Sequence, residues 1–327
     1  MKSFSVSVVI PAFNAQATIG QTIRALSGQT YPINEIIIVD DGSTDETSAV
    51  IRSFMNVKYI HQDNAGPAVA RNRGAAESKS DIVFFTDSDC IPEKTWIERS
   101  IAHFEKPDVA VVAGSYGIAN PESRLARCIH NEIIYRHHYL MPNYPRSFGS
   151  YNFGIRKDVF DAVGGFNTGY RHASGEDNDL SYKIIQAGHK IYFERESRVL
   201  HFHTEKIGKY LREQSRHGFW RMKMYLDHPK MMQGDGYTFW KDSLEVVLAV
   251  YSFIALPVGA IFLNGAAHAL AVLLFLALLE IYFGFRMIKI KKDALFYVSV
   301  MFLRAFARTY GFLNGGVSYL INIYNKK

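Results

Sequence analysis

Cysteine is scarce in this chain of 327 residues, in which Cys90 and Cys128 are the only two. They lack the paired spacing of zinc or iron–sulfur ligands, which argues against a cysteine-based metal centre. Without a secretory context they also provide no disulfide framework. We expect both to be free thiols in a reducing compartment.

A secretory signal is also lacking. The apolar stretch at residues 6–10 is too short for a signal-peptide core, and no small-residue cleavage site follows it. The stretch instead ends at Pro11, as a first β-strand would. We therefore expect the large N-terminal part of the chain to stay in the cytoplasm.

The sequence also lacks the basic pattern of a nucleic-acid-binding protein. No compact run of Lys and Arg carries interleaved stacking aromatics, so we expect no nucleic-acid partner. The net charge of +6 is modest, and the basic residues concentrate in the second half of the chain, which suits an anionic membrane surface. They are Arg195, Arg198, Lys206, Lys209, Arg212, Arg216, Arg221, Lys223 and the run from Arg286 to Lys292.

What the chain does contain is an alternation of strands and helices. Runs rich in Val, Ile and Phe predict buried strands at 5–10, 35–39, 57–61 and 81–85. Three helical patterns separate these strands. The first covers about 17–29, the second begins at a cap, Ser43 or Thr44, and ends near Phe54, and the third follows Pro67. This order predicts a parallel, doubly wound α/β sheet whose polar strand ends face one crevice.

Beyond Pro92 the pattern is less regular. Residues 109–112 predict a strand, 114–117 a turn and 123–144 a helix. Another helix opens with Gly175–Asp179 and ends near Ala187, where Gly188 supplies the usual C-terminal stop. Short strands at 190–193 and 197–201 extend the α/β pattern to about residue 203.

Two carboxylates mark the end of the strand at 81–85. Asp87 and Asp89 follow that strand directly, where open α/β sheets bind ligands. Their hard oxygen atoms suit Mg²⁺ or Mn²⁺ shared with a bound diphosphate. The spacing alone is not specific, because Asp177 and Asp179 repeat it and a solvated turn would also explain the first pair.

The last third of the chain is strongly apolar. We predict a cytoplasmic α/β domain at 1–203, an amphipathic segment at 204–242 and a membrane region at 243–327. The amphipathic segment favours an interfacial helix, with an ordinary surface helix as the alternative. Stretches at about 244–263 and 267–285 have the length of membrane spans, and the basic run 286–292 places that end in the cytoplasm.

The final apolar stretch, 294–323, contains two arginines. Arg304 and Arg308 share a helical face with Gly311 and Gly315 by their spacing. Two arginines within a bilayer are costly, so an interfacial or half-buried helix is favoured over a third span.

Four segments together resemble the inverting family-2 glycosyltransferases of the GT-A fold, namely Asn64–Pro67, Ala70–Gly74, Thr86–Asp89 and Gly175–Asp179. They occur in the family's order, and the resemblance covers about residues 5–220. It implies a nucleotide-diphosphate sugar donor, with a UDP-sugar favoured, and a Mg²⁺ or Mn²⁺ cofactor. It also implies a role in the synthesis of cell-envelope polysaccharide, glycolipid or glycan.

The resemblance further implies donor-binding residues. Pro11, Phe13 and Asp41 match the nucleotide-base pocket, and Arg71 matches a residue that contacts the base or the diphosphate. Asp87 matches the position nearer the ribose or sugar. A turn residue before a helix is the alternative for Asp41.

The metal ligands and the catalytic base are implied in the same way. Asp89 matches the metal ligand, and His201, or failing that His203, matches the histidine that completes the site; a strand histidine is the alternative. Asp177, preceded by Glu176, matches the base. A carboxylate at a helix N-terminus suits removal of a hydroxyl proton, and a divalent metal suits a leaving diphosphate. A plain N-cap is the alternative for Asp177.

One motif departs from the processive members of the family, which carry Gln-x-x-Arg-Trp. Gln214 and Trp220 occur here at a different spacing, which favours transfer of a single sugar. With Glu176 they are predicted contacts to acceptor or donor, the acceptor being lipid-linked or membrane-associated. The alternatives are a polyprenyl-phosphate glycosyl synthase, a nucleotidyltransferase and a non-catalytic membrane scaffold. A nucleotidyltransferase would normally have a Gly-rich phosphate loop after the first strand, and the segment Pro11–Asn14 at that position is not Gly-rich.

Overall fold

The computed structural model describes residues 3–170, 175–227, 229, 239–259 and 263–324. The chain forms two compact units. The sheet unit comprises Met1–Ala119 and His137–Phe202, and the helical unit comprises Asn120–Arg136 and His203–Lys327. The predicted boundary at residue 203 lies one residue from the observed change of unit, but residues 120–136 belong with the helices.

One eight-stranded sheet forms the centre of the sheet unit. Its strands, in chain order, are β1 Val6–Ala12, β2 Glu35–Asp41, β3 Lys58–Gln62, β4 Ile82–Thr86, β5 Cys90–Pro92, β6 Val109–Ile118, β7 Asn152–Arg156 and β8 Lys190–His201. The spatial order is β3-β2-β1-β4-β7-β6-β8-β5. The strands β3, β2, β1 and β4 are parallel, as predicted. The expectation of a wholly parallel sheet is wrong beyond β4, because β7 runs antiparallel to both β4 and β6.

Helices cover this sheet and fill the connections between its strands. They are α1 Ile19–Ser27, α2 Thr47–Arg52, α3 Pro67–Ala76, α4 Trp96–Ile101, α6 Lys157–Ala162 and α7 Glu176–Gln186. Helix α5, Arg124–Tyr139, belongs to the helical unit up to Arg136. All residues of β1 and β4 are buried, as expected for apolar strands covered on both faces. Phe84 of β4 packs edge-on against Trp96, with ring centroids 5.1 Å apart.

The predicted turn at 114–117 is wrong, because these residues continue β6. Its two glycines are needed for close packing rather than for a turn. A Cβ atom at Gly114 would overlap the carbonyl oxygen of Ser197 and the side chain of Asn152. A Cβ atom at Gly117 would overlap the Leu200 side chain. Glycine therefore lets β6 and β8 pair at this point.

Long helices make up the helical unit, namely α8 Ile207–Asp227, α9 Trp240–Gly259, α10 Leu263–Met287 and α11 Lys291–Tyr324. Among the described residues, one stretch is long and apolar enough to cross a membrane, Ala267–Met287 within α10. It coincides with the predicted span at 267–285. The other predicted span, 244–263, lies partly on α9 and partly on residues 260–262, which are outside the described residues.

Charged side chains from four helices meet inside the helical unit. We call this group the charge cluster; it contains Glu132, Arg136, Lys241, Asp242, Glu245, Glu280, Arg304 and Arg308. Arg304 bonds Glu132 at 2.7 Å and Glu245 at 2.9 Å. Lys241 bonds Glu280 of α10 at 2.8 Å and also pairs with Glu245. Four acids and four bases thus compensate one another.

Helix α11 is a single helix over the stretch predicted at 294–323, and its polar and small face contacts other helices. Arg308 donates to the side chain of Gln214 on α8 at 2.7 Å. A Cβ atom at Gly311 would overlap the carbonyl oxygen of Ser215, and one at Gly315 would lie 2.6 Å from that of Phe219. The predicted common face of the arginines and glycines is confirmed, and it is covered by protein.

Candidate functional site

The ends of three parallel strands bring the predicted donor-binding residues to one edge of the sheet. Pro11 pairs with Val39 near the ends of β1 and β2, and Asp41 is the last residue of β2. Asp87 follows the end of β4. Phe13, just past β1, has half of its side chain exposed. This edge therefore combines an open aromatic ring with acidic groups.

The carboxylate of Asp41 organises the loop after β3. It accepts hydrogen bonds from the Gln62 side chain at 2.6 Å and from the backbone N–H groups of Ala65 and Gly66, each at 2.9 Å. The side chain of Asn64 donates to the Asp41 carbonyl at 3.0 Å. Asp41 is buried and is more than a turn residue, since it fixes the predicted Asn64–Pro67 segment.

Asn14 is a residue that sequence reasoning missed. It adopts a left-handed backbone conformation with φ of 49°, which non-glycine residues seldom do. Its N–H donates to the Ser43 hydroxyl at 3.0 Å, and its side-chain oxygen accepts from the Thr44 N–H at 2.8 Å. Ser43 and Thr44 are therefore occupied by the neighbouring loop, and their prediction as helix caps is wrong. Helix α2 begins at Thr47.

Arg71 lies between two acids. Its Nη2 donates to Asp87 at 2.7 Å and its Nη1 donates to Glu176 at 3.0 Å. The Arg71 side chain is almost wholly buried, and so is that of Glu176. Burial alone would lower the pKa of Arg71, but the charges of Asp87 and Glu176 outweigh it and raise the pKa.

Strand pairing brings Asp89 to His201. The three-residue strand β5, which the sequence pattern did not indicate, pairs antiparallel with β8 and sets Cys90 opposite His201. The Phe202 N–H donates to the Asp89 carbonyl oxygen at 3.2 Å. The Asp89 Oδ2 and His201 Nε2 atoms are consequently 3.5 Å apart. His203 belongs to the helical unit, where Asn120 accepts from its N–H.

The donor atoms at this point fit a divalent cation. Ligand atoms of Asp89, Cys90 and His201 lie within 4.8 Å of one another. Burial opposes ionisation of Asp89, but the hydrogen bond and charge of His201 outweigh it and lower its pKa. Burial and the two neighbouring aspartates raise the pKa of Cys90 well above its usual value, so its thiol stays protonated. A carboxylate suits Mg²⁺ or Mn²⁺, and a neutral imidazole is the commonest metal ligand among side chains.

Asp177 lies in the first turn of α7. The helix begins after Gly175, whose φ of 117° only glycine adopts readily, and it carries Glu176, Asp177 and Asp179 at its positive end. Asp177 is half-buried, and its Oδ1 accepts from the Asn178 N–H at 2.8 Å. Asp179 is buried and pairs with Lys183 at 2.9 Å. The half-buried Asp177 is thus more open than either acidic neighbour.

Gln214 and Trp220 lie on α8 in the helical unit. Gln214 is buried and accepts the hydrogen bond from Arg308 already described. Trp220 is half-buried and packs edge-on against Phe219, with ring centroids 5.3 Å apart. Their predicted contact with the acceptor stays a prediction.

Comparison with known families agrees with the geometry of this site. The family described as "Glycosyl transferase family 2" matches residues 7–174, which is half of the chain and includes Asp41, Arg71, Asp87 and Asp89. The chain belongs to glycosyltransferase family 2. The match ends before Asp177 and His201, and the roles of all the site residues stay predictions.

The names of the relatives of this chain refer to different molecules. It is 30% identical over 234 residues to the pre-mycofactocin glycosyltransferase of Mycobacterium tuberculosis, across 68% of the chain and 48% of the relative. It is 25% identical over 218 residues to the glucosyl-dolichyl phosphate glucuronosyltransferase of Haloferax volcanii, across 60% of the chain and 68% of that protein. The match thus spans about half of the mycobacterial relative's length.

The fold of the glycosyltransferase resembles a solved structure over nearly its full length. The mannosyltransferase PcManGT of Pyrobaculum calidifontis, in complex with GDP-Man and Mn²⁺, superposes with a TM-score of 0.58 at 16% identity. The similarity covers 94% of this chain and 87% of that one. The predicted GT-A fold is confirmed.

Proposed function

We propose that the protein is an inverting, metal-dependent glycosyltransferase that moves a single sugar from a nucleotide-diphosphate sugar to a lipid-linked or membrane-associated acceptor. One observation carries the proposal. The partly exposed side chains of Asp89 and His201 come within 3.5 Å at a strand end, and the acid Asp87 lies two residues before Asp89. Acids left partly open at the end of a sheet can receive a cation and a phosphate-bearing ligand.

Donor binding is assigned to the edge formed by β1, β2 and β4. The exposed ring of Phe13 provides a surface on which a nucleotide base can stack, beside Pro11. The Asp41 carboxylate holds the adjoining loop and faces the base N–H in this proposal. Asp87 takes the ribose or sugar. The donor is a UDP- or GDP-sugar, the latter suggested by the ligand of the Pyrobaculum mannosyltransferase.

Asp89 and His201 would hold Mg²⁺ or Mn²⁺ against the donor diphosphate. A divalent cation there neutralises the charge that develops on the leaving nucleoside diphosphate. Metal binding requires an ionised Asp89 and a neutral His201, so it should weaken as the pH falls and the imidazole takes up a proton. The buried Cys90 thiol is not a ligand in this proposal, because it stays protonated.

Asp177 is the proposed general base. The acceptor hydroxyl attacks the anomeric carbon from the face opposite the diphosphate, and Asp177 takes its proton as the new bond forms. The half-buried side chain of Asp177 at the start of α7 suits this role. A single displacement of this kind inverts the configuration at the anomeric carbon.

The membrane setting is proposed from the helical unit. The apolar stretch Ala267–Met287 exposes large side chains along its length, including Leu270, Leu274, Leu278 and Tyr282. The basic run 286–292 follows directly and would lie on the cytoplasmic side with the catalytic unit. We assign α9 to a second span and α8 and α11 to the interface with anionic lipid. A relative whose name includes a dolichyl phosphate supports a lipid acceptor.

The proposal is tested with the full-length protein in detergent, a panel of UDP-, GDP- and dTDP-sugars, and Mn²⁺ or Mg²⁺. We expect metal-dependent binding of one donor, loss of that binding in Asp89→Ala, and intact binding without turnover in Asp177→Asn. No metal-dependent binding to any donor would exclude the enzyme and leave a membrane scaffold. Full turnover by Asp177→Asn would favour a phosphate acceptor, as in a polyprenyl-phosphate glycosyl synthase, because a phosphate needs no strong base.

A further inference from the structure

Arg71 is the only charged residue on the buried face of α3, all of whose residues the structure describes. The other buried residues of this helix are Ala68, Ala70, Gly74 and Ala75. A Cβ atom at Gly74 would overlap the side chain of Val9 on β1, so α3 lies close against the sheet. Arg71 therefore projects from a helix that has little freedom to shift.

The guanidinium of Arg71 joins two elements that carry different parts of the proposed reaction. Nη2 bonds Asp87, which follows β4, and Nη1 bonds Glu176, the first residue of α7. Because a guanidinium is a rigid planar fork, its two bonds fix the distance between the two carboxylates. Glu176 immediately precedes Asp177, so the bond also fixes the first turn of α7.

The residues around Arg71 leave little of its side chain accessible to a ligand. The side chain is 2% exposed, and the guanidinium lies 5.5 Å from the centre of the Phe166 ring. Both terminal nitrogens donate to carboxylates, and within the described residues the buried Nε has no hydrogen-bond partner. Asp87, in contrast, keeps 30% of its side chain exposed. A donor would therefore meet Asp87 before it met Arg71.

We propose that Arg71 is a positioning residue: it holds Asp87 and Glu176 on one guanidinium and thereby aligns Asp177 with the donor-binding end of β4. The inference rests on the proposed function and differs from the expectation that Arg71 contacts the base or the diphosphate. A positioning residue changes turnover, whereas a donor ligand changes donor affinity as well.

The test compares Arg71→Lys and Arg71→Met in the full-length protein, with Arg73→Met as the matched control. Arg73 lies on the same helix and is exposed. Lysine keeps the charge but lacks the fork that spans two carboxylates. We expect kcat to fall on the order of 10²-fold in both Arg71 variants. The Kd for Mn²⁺-dependent donor binding should rise far less than kcat falls, because Asp87 remains at the end of β4 and loses only one contact, and the control should change neither value.

Two further variants test whether residues 71 and 176 act together. They also keep the proposal testable if Arg71→Met does not fold. Glu176→Ala should lower kcat as Arg71→Lys does, and combining the two should cost little more than either alone, since both disrupt the contact between residues 71 and 176. Losses that multiply would overturn the proposal, as would a donor Kd that rises as steeply as kcat falls. Failure of the unsubstituted protein to bind any donor would instead refute the proposed function.

Discussion

The charged groups at the strand ends of the sheet unit differ in exposure from those of the charge cluster in the helical unit. In the sheet unit, Asp87, Asp89 and His201 keep 30%, 44% and 22% of their side chains exposed. In the helical unit, Lys241, Glu245 and Glu280 are wholly buried, and Lys241 pairs with both acids. Charges that stay partly in water can exchange that water for a ligand, whereas buried charges are committed to their partners. The comparison separates groups that are open to a ligand from groups that pair with one another inside the helical unit.

Removing the proposed base should have the largest effect and should change activity alone. Asp177→Asn should lower the rate of sugar transfer by about 10³-fold, the size expected for a general base. Because Asp177 is half-buried at an open helix end, the thermal midpoint of unfolding should stay within a few degrees. A variant that lost transfer and unfolded together would show that Asp177 is a structural residue like those of the charge cluster.

Breaking the charge cluster should, in contrast, lower the stability of the protein. Arg304→Met removes one of the two cations that each of the buried acids Glu132 and Glu245 contacts, and it should lower the free energy of unfolding by about 3 kcal/mol. The matched control is Arg212→Met, which removes an exposed arginine from α8. Equal denaturation midpoints for the two variants in detergent would contradict the structural role of the cluster.

Adding a single methyl group at the contact of α8 with α11 should have a smaller effect. Gly311→Ala places a Cβ atom against the Ser215 carbonyl and should cost about 1–3 kcal/mol of stability. Gly316→Ala is the control, because its Cβ would meet only the flexible end of Met222. That change should be neutral or stabilise the helix by up to about 1 kcal/mol. Denaturant unfolding of both variants distinguishes a backbone clash from a general loss of glycine.

A buried acid in the sheet unit permits a test with pH. Burial alone would raise the pKa of Asp40, but hydrogen bonds from Ser43 and Tyr59 and the charge of His61 lower it. Its stabilising contribution is therefore present above the unfolded pKa and is lost as the pH falls through the folded one. Tyr59→Phe removes one of these bonds, of 2.7 Å, and should cost about 1 kcal/mol at pH 7. The difference from the unsubstituted protein should shrink on acidification; an equal difference at pH 3 would contradict this cause.

Each unit also contains one cysteine, whose reaction with a thiol reagent would report the unfolding of that unit. In the native state we expect no reaction. Burial raises the pKa of Cys128 to about 12, and burial with the adjacent aspartates raises that of Cys90. Neither thiol should react with a disulfide reagent at pH 8 until its own unit unfolds. Single Cys→Ser variants followed through a denaturant titration would show which unit unfolds first. Rapid labelling of either thiol without denaturant would contradict the burial.

The part of the fold that sequence reasoning could predict is the local part. The runs of Val, Ile and Phe in β1, β2 and β4 identify buried strands, and the acids that follow them are set by strand direction. The end of α7 was equally predictable, since Gly188 has a φ of 87°. Such features depend on neighbours in the chain.

What escaped prediction depends on residues far apart in the sequence. Strand β5 has three residues and includes Pro92, so it resembled the end of a strand rather than a strand. Its pairing with β8, which sets Asp89 beside His201, is a non-local contact. In the same way, no local pattern pairs Glu132 with Arg304. The expectation that two arginines are costly within a bilayer did not include this partner of Arg304, and the placement of α11 stays a prediction.

Glu280 lies within the apolar stretch of α10, and its only base among the described residues is Lys241 on α9. In the proposed membrane setting this pair bears on how the protein is made. A lone carboxylate within a span costs a few kcal/mol to insert, so α10 would partition poorly by itself. Lys241 precedes it in the chain and is already synthesised when α10 leaves the ribosome. The two helices would then enter the lipid as one hairpin, with their charges matched before either is exposed to hydrocarbon.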